Sequence, residues 1–321
     1  MIRFIVKRIL WMIPTVLGVL LIIFTINELM PGDPASAALG TNYTEELYQQ
    51  KREEMGLNRP FLTRYADYVV GFFTEFDLGT SYSSLRPVRT LILERIWVSI
   101  KLGLLGSVIT VVFGILIGVI SAVKQYSVLD YIITVLATFF ASMPGFWLAL
   151  MLMIAFAINL KIFDASFPTT QAPQLRDWVL PALASGLSFI ASITRMTRSS
   201  MLDVVRQDYI TTARAKGQKE SVVIRRHALR NALIPVITTV GAQLGILVSG
   251  SVVVETIFGM PGLGSLMMTA INNKDFPIIE GCVLILAALI SIVVDPGEWI
   301  DSLIIVIVVL FNAILGVVQE N

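Results

Sequence analysis

The chain contains long runs of apolar residues, and each of the longest could cross a lipid bilayer as a helix. These runs are Ile9–Leu29, Leu102–Val123, Tyr131–Ile158, Trp178–Ile193, Ala232–Ile257 and Pro277–Val294. A helix needs roughly 20 mostly apolar residues to cross the hydrocarbon core. Only 15% of the 321 residues are charged, whereas soluble domains average about a quarter. These features predict an all-α integral membrane protein with six spans.

The basic residues orient these spans. Arg3, Lys7 and Arg8 precede the first run, and a larger basic set occupies the loop 195–231. Because Lys and Arg are enriched in short cytoplasmic loops, we expect the N-terminus and this loop in the cytoplasm and the segment 30–95 outside. Four predicted spans separate the two basic regions, which agrees with that orientation. The first run is too long for a signal peptide and is interpreted as an uncleaved span.

The predicted spans divide the chain into four regions, and the last of them holds a seventh apolar run, Ser302–Val318. The regions are a first membrane span (1–29), an outer cap segment of short helices (30–95), a membrane core that includes the cytoplasmic loop 195–231 (96–294) and an atypical apolar tail (295–321).

The composition argues against several kinds of chemistry. The formal net charge of +1 indicates no nucleic-acid partner. Cys282 and His227 are the only residues of their types, so neither a disulfide nor a metal cluster nor a histidine-based catalytic site is expected. His227 lies among arginines that disfavour its charged form, which favours an exposed or interface position over a proton relay. The phosphate-binding pattern G-x-x-x-x-G-K-[ST] does not occur. We expect no catalytic residue, no metal and no cofactor.

The loop 195–231 has the pattern of two short helices. Apolar residues recur there every three or four positions, at Leu202, Val205, Tyr209 and Ala213. This spacing predicts a helix with one apolar face, and Gly217 is placed to end it. A second helix, about Glu220–Asn231, is expected to lead into the fifth span. Such a loop is either a docking surface for a soluble protein or a solvated basic loop held by anionic headgroups.

Polar residues within the spans are candidates for lining a pathway across the membrane. The polar candidates are Ser142, Gln243 and Ser249, and Pro144 beside Ser142 is included with them. The alternative for each polar side chain is a hydrogen bond between helices. Asp33 and Glu255 flank span ends, where we expect solvated charges.

Four motifs carry a resemblance to a known family. The segment Thr211–Gly217 resembles the "EAA" loop of ABC importer permeases, although Thr211 and Thr212 replace its Glu and first Ala. Leu229 also matches that pattern, whereas Arg230 stands where it has Pro.

The other three motifs narrow the resemblance to the B-type permease of the peptide/nickel group. They are Leu29–Ala35, Gly56–Pro60 with Arg64 and Tyr65, and Glu255–Gly264. The resemblance covers residues 1 to about 293.

This resemblance implies a type I ABC importer transmembrane domain with six spans, in a bacterial or archaeal cytoplasmic membrane. It implies a transport subunit that is not an enzyme. The implied partners are a second, homologous permease in a heterodimer, two ATP-binding subunits, an extracellular substrate-binding protein and the lipid bilayer. Dipeptides, longer peptides, glutathione and nickel all remain open as substrates.

The resemblance also assigns the loop a role in coupling to the ATPase subunits. The residues implied are Leu202, Val205, Tyr209, Ala213, Arg214, Ala215, Lys216, Gly217 and Leu229. We expect Gly217→Pro or Ala213→Glu to uncouple transport while the protein stays inserted. The pairs Gly114/Gly118 and Gly241/Gly245 are expected to allow close helix approach, either internally or against the second permease.

The tail departs from this family. Asp295–Asp301 leads into the seventh apolar run, and the stretch resembles the second membrane helix of P-type cation-transporting ATPases. The phosphorylation sequence Asp-Lys-Thr-Gly does not occur, so no pumping activity is expected. A fusion, a truncated neighbouring reading frame and a gene-model error all stay open. A genuine seventh span would place the C-terminus outside, and an interfacial one would leave it inside.

Three other classes of protein are compatible with an apolar chain of this kind. A secondary carrier would show inverted repeats, broken helices or charges near the middle of the membrane, and none is evident in the sequence. An intramembrane enzyme would need a nucleophile and a base, or paired acids, within the spans. A membrane anchor or assembly factor would explain the docking loop without polar spans or an outer cap.

Overall fold

The computed structural model describes residues 2–29, 33–39, 43–168, 172–248 and 252–293. The regular structure in these ranges is helical, and one isolated β-bridge joins Thr80 and Pro87. Two π-helical turns, Met153–Asn159 and Val223–Ala228, continue the helices α7 and α10. The helices are α1 (Ile2–Leu29), α2 (Pro34–Leu39), α3 (Glu45–Glu54), α4 (Phe61–Glu75), α5 (Val88–Val123), α6 (Val128–Ser142), α7 (Gly145–Leu152), α8 (Leu175–Val205), α9 (Asp208–Ala215), α10 (Glu220–Val222), α11 (Leu229–Val248), α12 (Val252–Ile257), α13 (Leu263–Asn272) and α14 (Phe276–Val293).

Several of these helices could cross a membrane, which confirms the predicted all-α membrane fold. Within the described ranges four helical stretches are long and apolar enough: Met12–Leu29, Val88–Val123, Leu175–Val205 and Glu220–Leu247. The pair α6 and α7 makes a fifth if it crosses once, and the apolar part of α14 is shorter. The count of six spans stays a prediction, and the seventh apolar run lies outside the described residues.

The predicted continuous third span, Tyr131–Ile158, is wrong. The helix breaks after Ser142, and the two halves are bent by 106°. Met143 is extended, with φ −82° and ψ 133°, and Pro144 follows it. The proline ring disfavours a helical conformation in the preceding residue and supplies no N–H for the helix, so the break falls at this pair.

The predicted limits of the fourth and fifth spans also change. Helix α8 runs on to Val205, well past the predicted end at Ile193, so residues 195–205 are helical and do not belong to a loop. The arginines after Ile193 interrupt the apolar sequence pattern, but the backbone hydrogen bonds of the helix continue past them. The predicted fifth span, Ala232–Ile257, is described as α11 to Val248 and again as α12 from Val252, and residues 249–251 lie outside the described part.

The chain forms two compact units, and the first comprises the described parts of residues 1–99 and 261–293. Helices α1 and α14 pack along each other in this unit. Leu20 and Ile23 of α1 and Leu284 and Ala287 of α14 are fully or almost fully buried. This apolar contact is the core of the first unit.

Helix α4 packs against α1 through aromatic rings. The ring of Phe24 meets those of Tyr65 and Tyr68 edge to face, with centroids 5.6 and 5.4 Å away. Such edge-to-face pairs are favoured by the ring quadrupoles. They attach the short helices of the 30–95 segment to the first helix.

The second unit comprises residues 100–260, and α8 is its central helix. Helices α6, α7 and α11 all pack on α8. Helix α5 also approaches α8 closely, because a Cβ atom at Gly114 would lie 2.7 Å from Ile193 and one at Gly118 would lie 2.6 Å from Thr197. The prediction that Gly114 and Gly118 allow close approach between two helices of this chain is therefore confirmed. A Cβ atom at Gly241 would meet nothing within 4 Å in the described structure.

Candidate functional site

The candidate docking segment, residues 202–231, folds into a helical hairpin, hereafter the 202–231 hairpin. Its first part was predicted as one helix, and this is wrong: α8 ends at Val205, and α9 begins at Asp208. Tyr209 is consequently 43% exposed, and Ile210 is buried in its place. The apolar spacing that suggested a single face runs across a break in the helix.

The predicted end of the helix at Gly217 is confirmed. Its φ is 74°, a left-handed conformation that glycine adopts without strain. The Gly217 amide donates to the Arg214 carbonyl at 2.9 Å. This turn reverses the chain, and the second arm of the hairpin starts at Glu220.

A small apolar cluster holds the two arms together. The π-helical turn Val223–Ala228 closes hydrogen bonds between residues five apart, so Val223 and Ala228 face the same side. Both are fully buried against Ile210 and Ala213 of α9. Met201 of α8 and Ala122 of α5 belong to the same cluster. The hairpin is therefore packed onto two long helices and is not a mobile loop on their ends.

Three polar contacts on the surface of the hairpin join its first arm and turn to its second arm. Arg214 Nη2 and Nε donate to the two carboxylate oxygens of Glu220 at 2.8 and 3.1 Å. Asn231 donates to the Tyr209 hydroxyl at 2.8 Å. His227 Nε2 lies 2.8 Å from Gln218 Oε1, so the single histidine links the turn to the second arm.

The predicted coupling residues separate into two groups. Tyr209, Arg214, Ala215, Lys216 and Gly217 are exposed on the hairpin; the last four lie at its turn, and Tyr209 lies near its base, bonded to Asn231. The remaining four, Leu202, Val205, Ala213 and Leu229, pack into or against the apolar cluster.

A buried ion pair beneath the hairpin was missed in the sequence. Asp130, at the start of α6, accepts hydrogen bonds from Arg198 Nε and Nη2 of α8, both at 2.8 Å. It also accepts from the Ser121 hydroxyl and from the Tyr126 amide. Its side chain is 4% exposed. A bidentate, fully bonded pair of this kind fixes the α5–α6 turn to α8 just before the hairpin.

The predicted pathway residues are not gathered at one place. Ser142 and Pro144 are exposed at the bend between α6 and α7, where the Ser142 hydroxyl donates to its own helix at the Thr138 carbonyl. Gln243 is half-buried in α11, and its buried Oε1 has no hydrogen-bond partner within the described structure. Ser249 lies outside the described residues.

Two buried carboxylates were not anticipated. Glu280 lies inside α14 and Glu255 inside α12, and both side chains are buried. The expectation of a solvated Glu255 is therefore wrong, and the position of Glu280 within the sixth predicted span gave no indication of its burial. No group of three His, Cys, Asp or Glu side chains in the described ranges could hold a metal ion.

These features define a class of protein: a multi-pass helical membrane protein with a compact, partly basic hairpin packed on the ends of its helices. Comparison with known proteins identifies the family. Residues 114–321 match the family described as "Binding-protein-dependent transport system inner membrane component". Residues 1–103 match the N-terminal membrane component of the same systems. The chain belongs to this family of permeases.

Individual relatives agree with the family match. A candidate peptide transport system permease protein of Brucella suis is 40% identical over 298 residues, covering 91% of this chain and 95% of the relative. The dipeptide transport system permease of Alkalihalophilus pseudofirmus is 37% identical, covering 92% and 96%. The glutathione transport system permease of Pectobacterium atrosepticum is 38% identical, covering 92% and 96%.

The chain is accordingly a membrane-spanning permease subunit of an ABC importer. It is not an enzyme, because ATP is hydrolysed by separate subunits of such systems. An ATPase and a substrate-binding protein are its partners. The bent pair α6–α7 and the buried Glu280 are features that a secondary carrier would also show, but the family match excludes that class.

Proposed function

We propose that this chain imports peptides and forms half of the translocation pathway, paired with a second, homologous permease in a heterodimer. The relatives named for peptide, dipeptide and glutathione transport support this substrate class. The observation that carries the coupling role is the exposed surface of the 202–231 hairpin. An apolar cluster holds the hairpin, and the side chains of Tyr209, Arg214 and Lys216 stay outside that cluster.

The proposed position is the cytoplasmic membrane of a bacterium or archaeon, with the N-terminus and the hairpin inside. The excess of Lys and Arg in the segment 195–231 supports this orientation. The segment 30–95 would then be the outer cap, and residues 96–294 the membrane core.

The hairpin is suited to transmit movement from two ATPase subunits. Its apolar cluster includes Met201 of α8 and Ala122 of α5, so a push on the exposed end reaches both helices. A rigid shift of a packed element is a common way to switch a pathway between two states. In this proposal the exposed residues contact the ATPase. The packed residues maintain the shape of the hairpin that the ATPase contacts; they are Leu202, Val205, Ala213 and Leu229.

The pathway itself is proposed to lie near Ser142, Pro144, Gln243 and Ser249. The bend at Pro144 leaves the α6–α7 junction exposed. Gln243 offers a buried oxygen without a partner in the described structure, and Gly241, two residues earlier on the same helix, has open space beside it. This part of α11 is proposed to face the second permease.

The test uses a charge placed on the exposed end of the hairpin. Ala215 is exposed, so Ala215→Glu is expected to leave the fold intact, to weaken co-purification with the ATPase subunit and to reduce ATP-dependent peptide uptake. Thr63→Glu, at an exposed site of α4, is the matched control. Ala213→Glu and Gly217→Pro are unsuitable, because Ala213 is buried and proline cannot adopt the φ of 74°.

Uptake is measured with a labelled dipeptide in vesicles that contain the complete importer. Normal ATPase binding and normal uptake by Ala215→Glu would reject the docking role. Uptake of nickel, with no uptake of dipeptide or glutathione, would reject the proposed substrate class.

A further inference from the structure

A polar cavity in the first compact unit has no role in the coupling described above. Its volume is about 220 Å³. It is lined by residues of α1, of the 30–95 segment and of the start of α14. The polar side chains that matter for its chemistry are Asn27, Arg64, Tyr68 and Glu280.

Three polar atoms of the residues that line this cavity are buried and have no hydrogen-bond partner in the described structure. They are Asn27 Oδ1, Arg64 Nε and the Tyr68 hydroxyl. Asn27 is only 6% exposed. A buried polar atom without a partner costs about 1–3 kcal/mol, so several such atoms around one cavity indicate a bound polar group.

Glu280 is also under-bonded for a buried carboxylate. Its Oε1 accepts one hydrogen bond, from Asn27 Nδ2 at 3.0 Å. By contrast, Asp275 in the same unit is 1% exposed and accepts from the hydroxyls of Ser81 and Ser83 and from the amides of Tyr82 and Ser83. A carboxylate can accept about four hydrogen bonds, so Glu280 keeps unused acceptor capacity.

One carboxyl group beside the cavity has no ion-pair partner within the described residues. Arg64 pairs with Glu28, and Arg59 pairs with Asp67. Glu280 forms no ion pair in the described structure, although Arg64 also attracts it electrostatically. The lining side chains therefore include one more carboxyl group than guanidinium groups, beside two further acceptor atoms, Asn27 Oδ1 and the Tyr68 oxygen.

The ligand must also supply an acceptor, because Arg64 Nε is a donor. A metal ion supplies none, and no set of three ligating side chains is found in the described ranges. A primary ammonium group next to a carbonyl oxygen supplies both kinds of atom. Its N–H groups match Glu280, Asn27 and Tyr68, and its carbonyl oxygen matches Arg64 Nε.

We propose that this cavity binds a primary ammonium group with an adjacent carbonyl, the arrangement found at the amino-terminal residue of a peptide and in a free amino amide. Only the first of these two sources rests on the proposed peptide import. A cavity of about 220 Å³ accommodates such a group, since one water occupies about 30 Å³ in the liquid.

The experiment measures binding of radiolabelled glycinamide by equilibrium dialysis. The full-length chain is held in nanodiscs of phosphatidylcholine, a lipid without a primary amine. Saturable binding of one glycinamide per chain is expected. Glu280→Gln should weaken it about tenfold or more, because a charged hydrogen-bond partner is lost. Tyr68→Phe should weaken it severalfold, and Glu53→Gln, at an exposed carboxylate outside the cavity, should not change it.

Both variants are expected to stay folded. Gln at position 280 keeps a carbonyl oxygen for Asn27, and the Tyr68 hydroxyl makes no bond that Phe would remove. The unfolding midpoint and the chromatographic elution of each variant verify this.

Competition identifies the source of the ammonium group. Displacement by dialanine but not by N-acetyl-dialanine supports the amino terminus of a peptide, whereas no displacement by either supports a free amino compound. Equal displacement by methylammonium or potassium would overturn the proposal, since neither carries the carbonyl. Binding that survives Glu280→Gln would also overturn it. Peptide uptake is tested separately with Ala215→Glu, so failure of the binding proposal would leave the proposed import function open to its own test.

Discussion

At the scale of residues, the number of partners decides what each buried carboxylate does. Asp130 is bonded by a guanidinium, a hydroxyl and a backbone amide, which makes it a fixed junction. Asp275 is bonded by the Ser81–Ser83 turn and fixes that turn to the start of α14. Glu280 has one neutral partner and faces a cavity. Similar acidic side chains thus form two structural junctions and one candidate binding site.

The sequence could not distinguish these carboxylates. Asp130 and Arg198 are 68 positions apart, and Asn27 and Glu280 are 253 positions apart. Hydropathy and spacing describe neighbours along one helix, whereas these pairs form only when distant helices pack. Glu255 was expected in solvent for the same reason, because its position near a span end gave no information about the helices around it.

The bidentate geometry of the Asp130–Arg198 pair leads to a prediction. Arg198→Lys keeps the charge but cannot reproduce the paired hydrogen bonds to both carboxylate oxygens. We expect it to lower the free energy of unfolding by about 1–3 kcal/mol. Arg195→Lys is the control, because Arg195 is exposed on the same helix and makes no ion pair within the described residues. Unfolding in detergent with increasing denaturant measures both, and equal stability of the two variants would contradict the assignment.

At the scale of elements, backbone chemistry was predictable where a single residue decides it. Gly217 ends α9 because glycine adopts a positive φ easily, and the sequence placed that end correctly. The effect of Pro144 was underestimated: the third span was predicted to run through it without a break, yet the two halves diverge by 106°. The break between α8 and α9 and the π-helical turn Val223–Ala228 follow from tertiary packing around the hairpin cluster, which periodicity does not reveal.

The contact between α5 and α8 gives a prediction about helix packing. A methyl group at Gly118 would lie 2.6 Å from Thr197 Cβ and 2.7 Å from the Thr194 carbonyl oxygen. Because both helices would have to separate, Gly118→Ala should lower the free energy of unfolding by about 1–3 kcal/mol.

The control for this substitution is Gly241→Ala, which adds the same methyl group to another helix where nothing lies within 4 Å. It should be neutral or slightly stabilising, because alanine favours a helix by up to about 1 kcal/mol over glycine. Thermal unfolding of the two variants in the same detergent compares them. A stable Gly118→Ala variant would mean that the helices are less closely packed than described.

At the scale of the whole molecule, the family and the helical membrane fold were both predictable, because length, apolar runs and four ordered motifs are properties of the sequence itself. The division into two compact units was not. The helices α13 and α14 pack with the N-terminal part of the chain, although about 160 residues separate them from it along the sequence. Long-range helix pairing of this kind depends on the fit of surfaces such as α1 on α14, which no local pattern encodes.

Orientation in the membrane is the property of the whole molecule that most needs measurement, and the chain is well suited to it. Cys282 is its only cysteine and is fully buried, so it should not react with a maleimide in the folded protein. Ser221→Cys adds an exposed thiol to the 202–231 hairpin, and Thr63→Cys adds one to α4. A membrane-impermeant maleimide reports which side each thiol faces.

With the hairpin in the cytoplasm, Ser221→Cys should be labelled in inverted vesicles and protected in spheroplasts, and Thr63→Cys should behave in the opposite way. The excess of basic residues around the hairpin is the physical reason, since such loops are retained on the cytoplasmic side. Labelling of both variants after solubilisation in detergent is the positive control, and the unmodified chain should remain unlabelled throughout. Labelling of both positions from the same side would exclude the proposed topology, because an odd number of crossings must separate α4 from the hairpin if one is outside and the other inside.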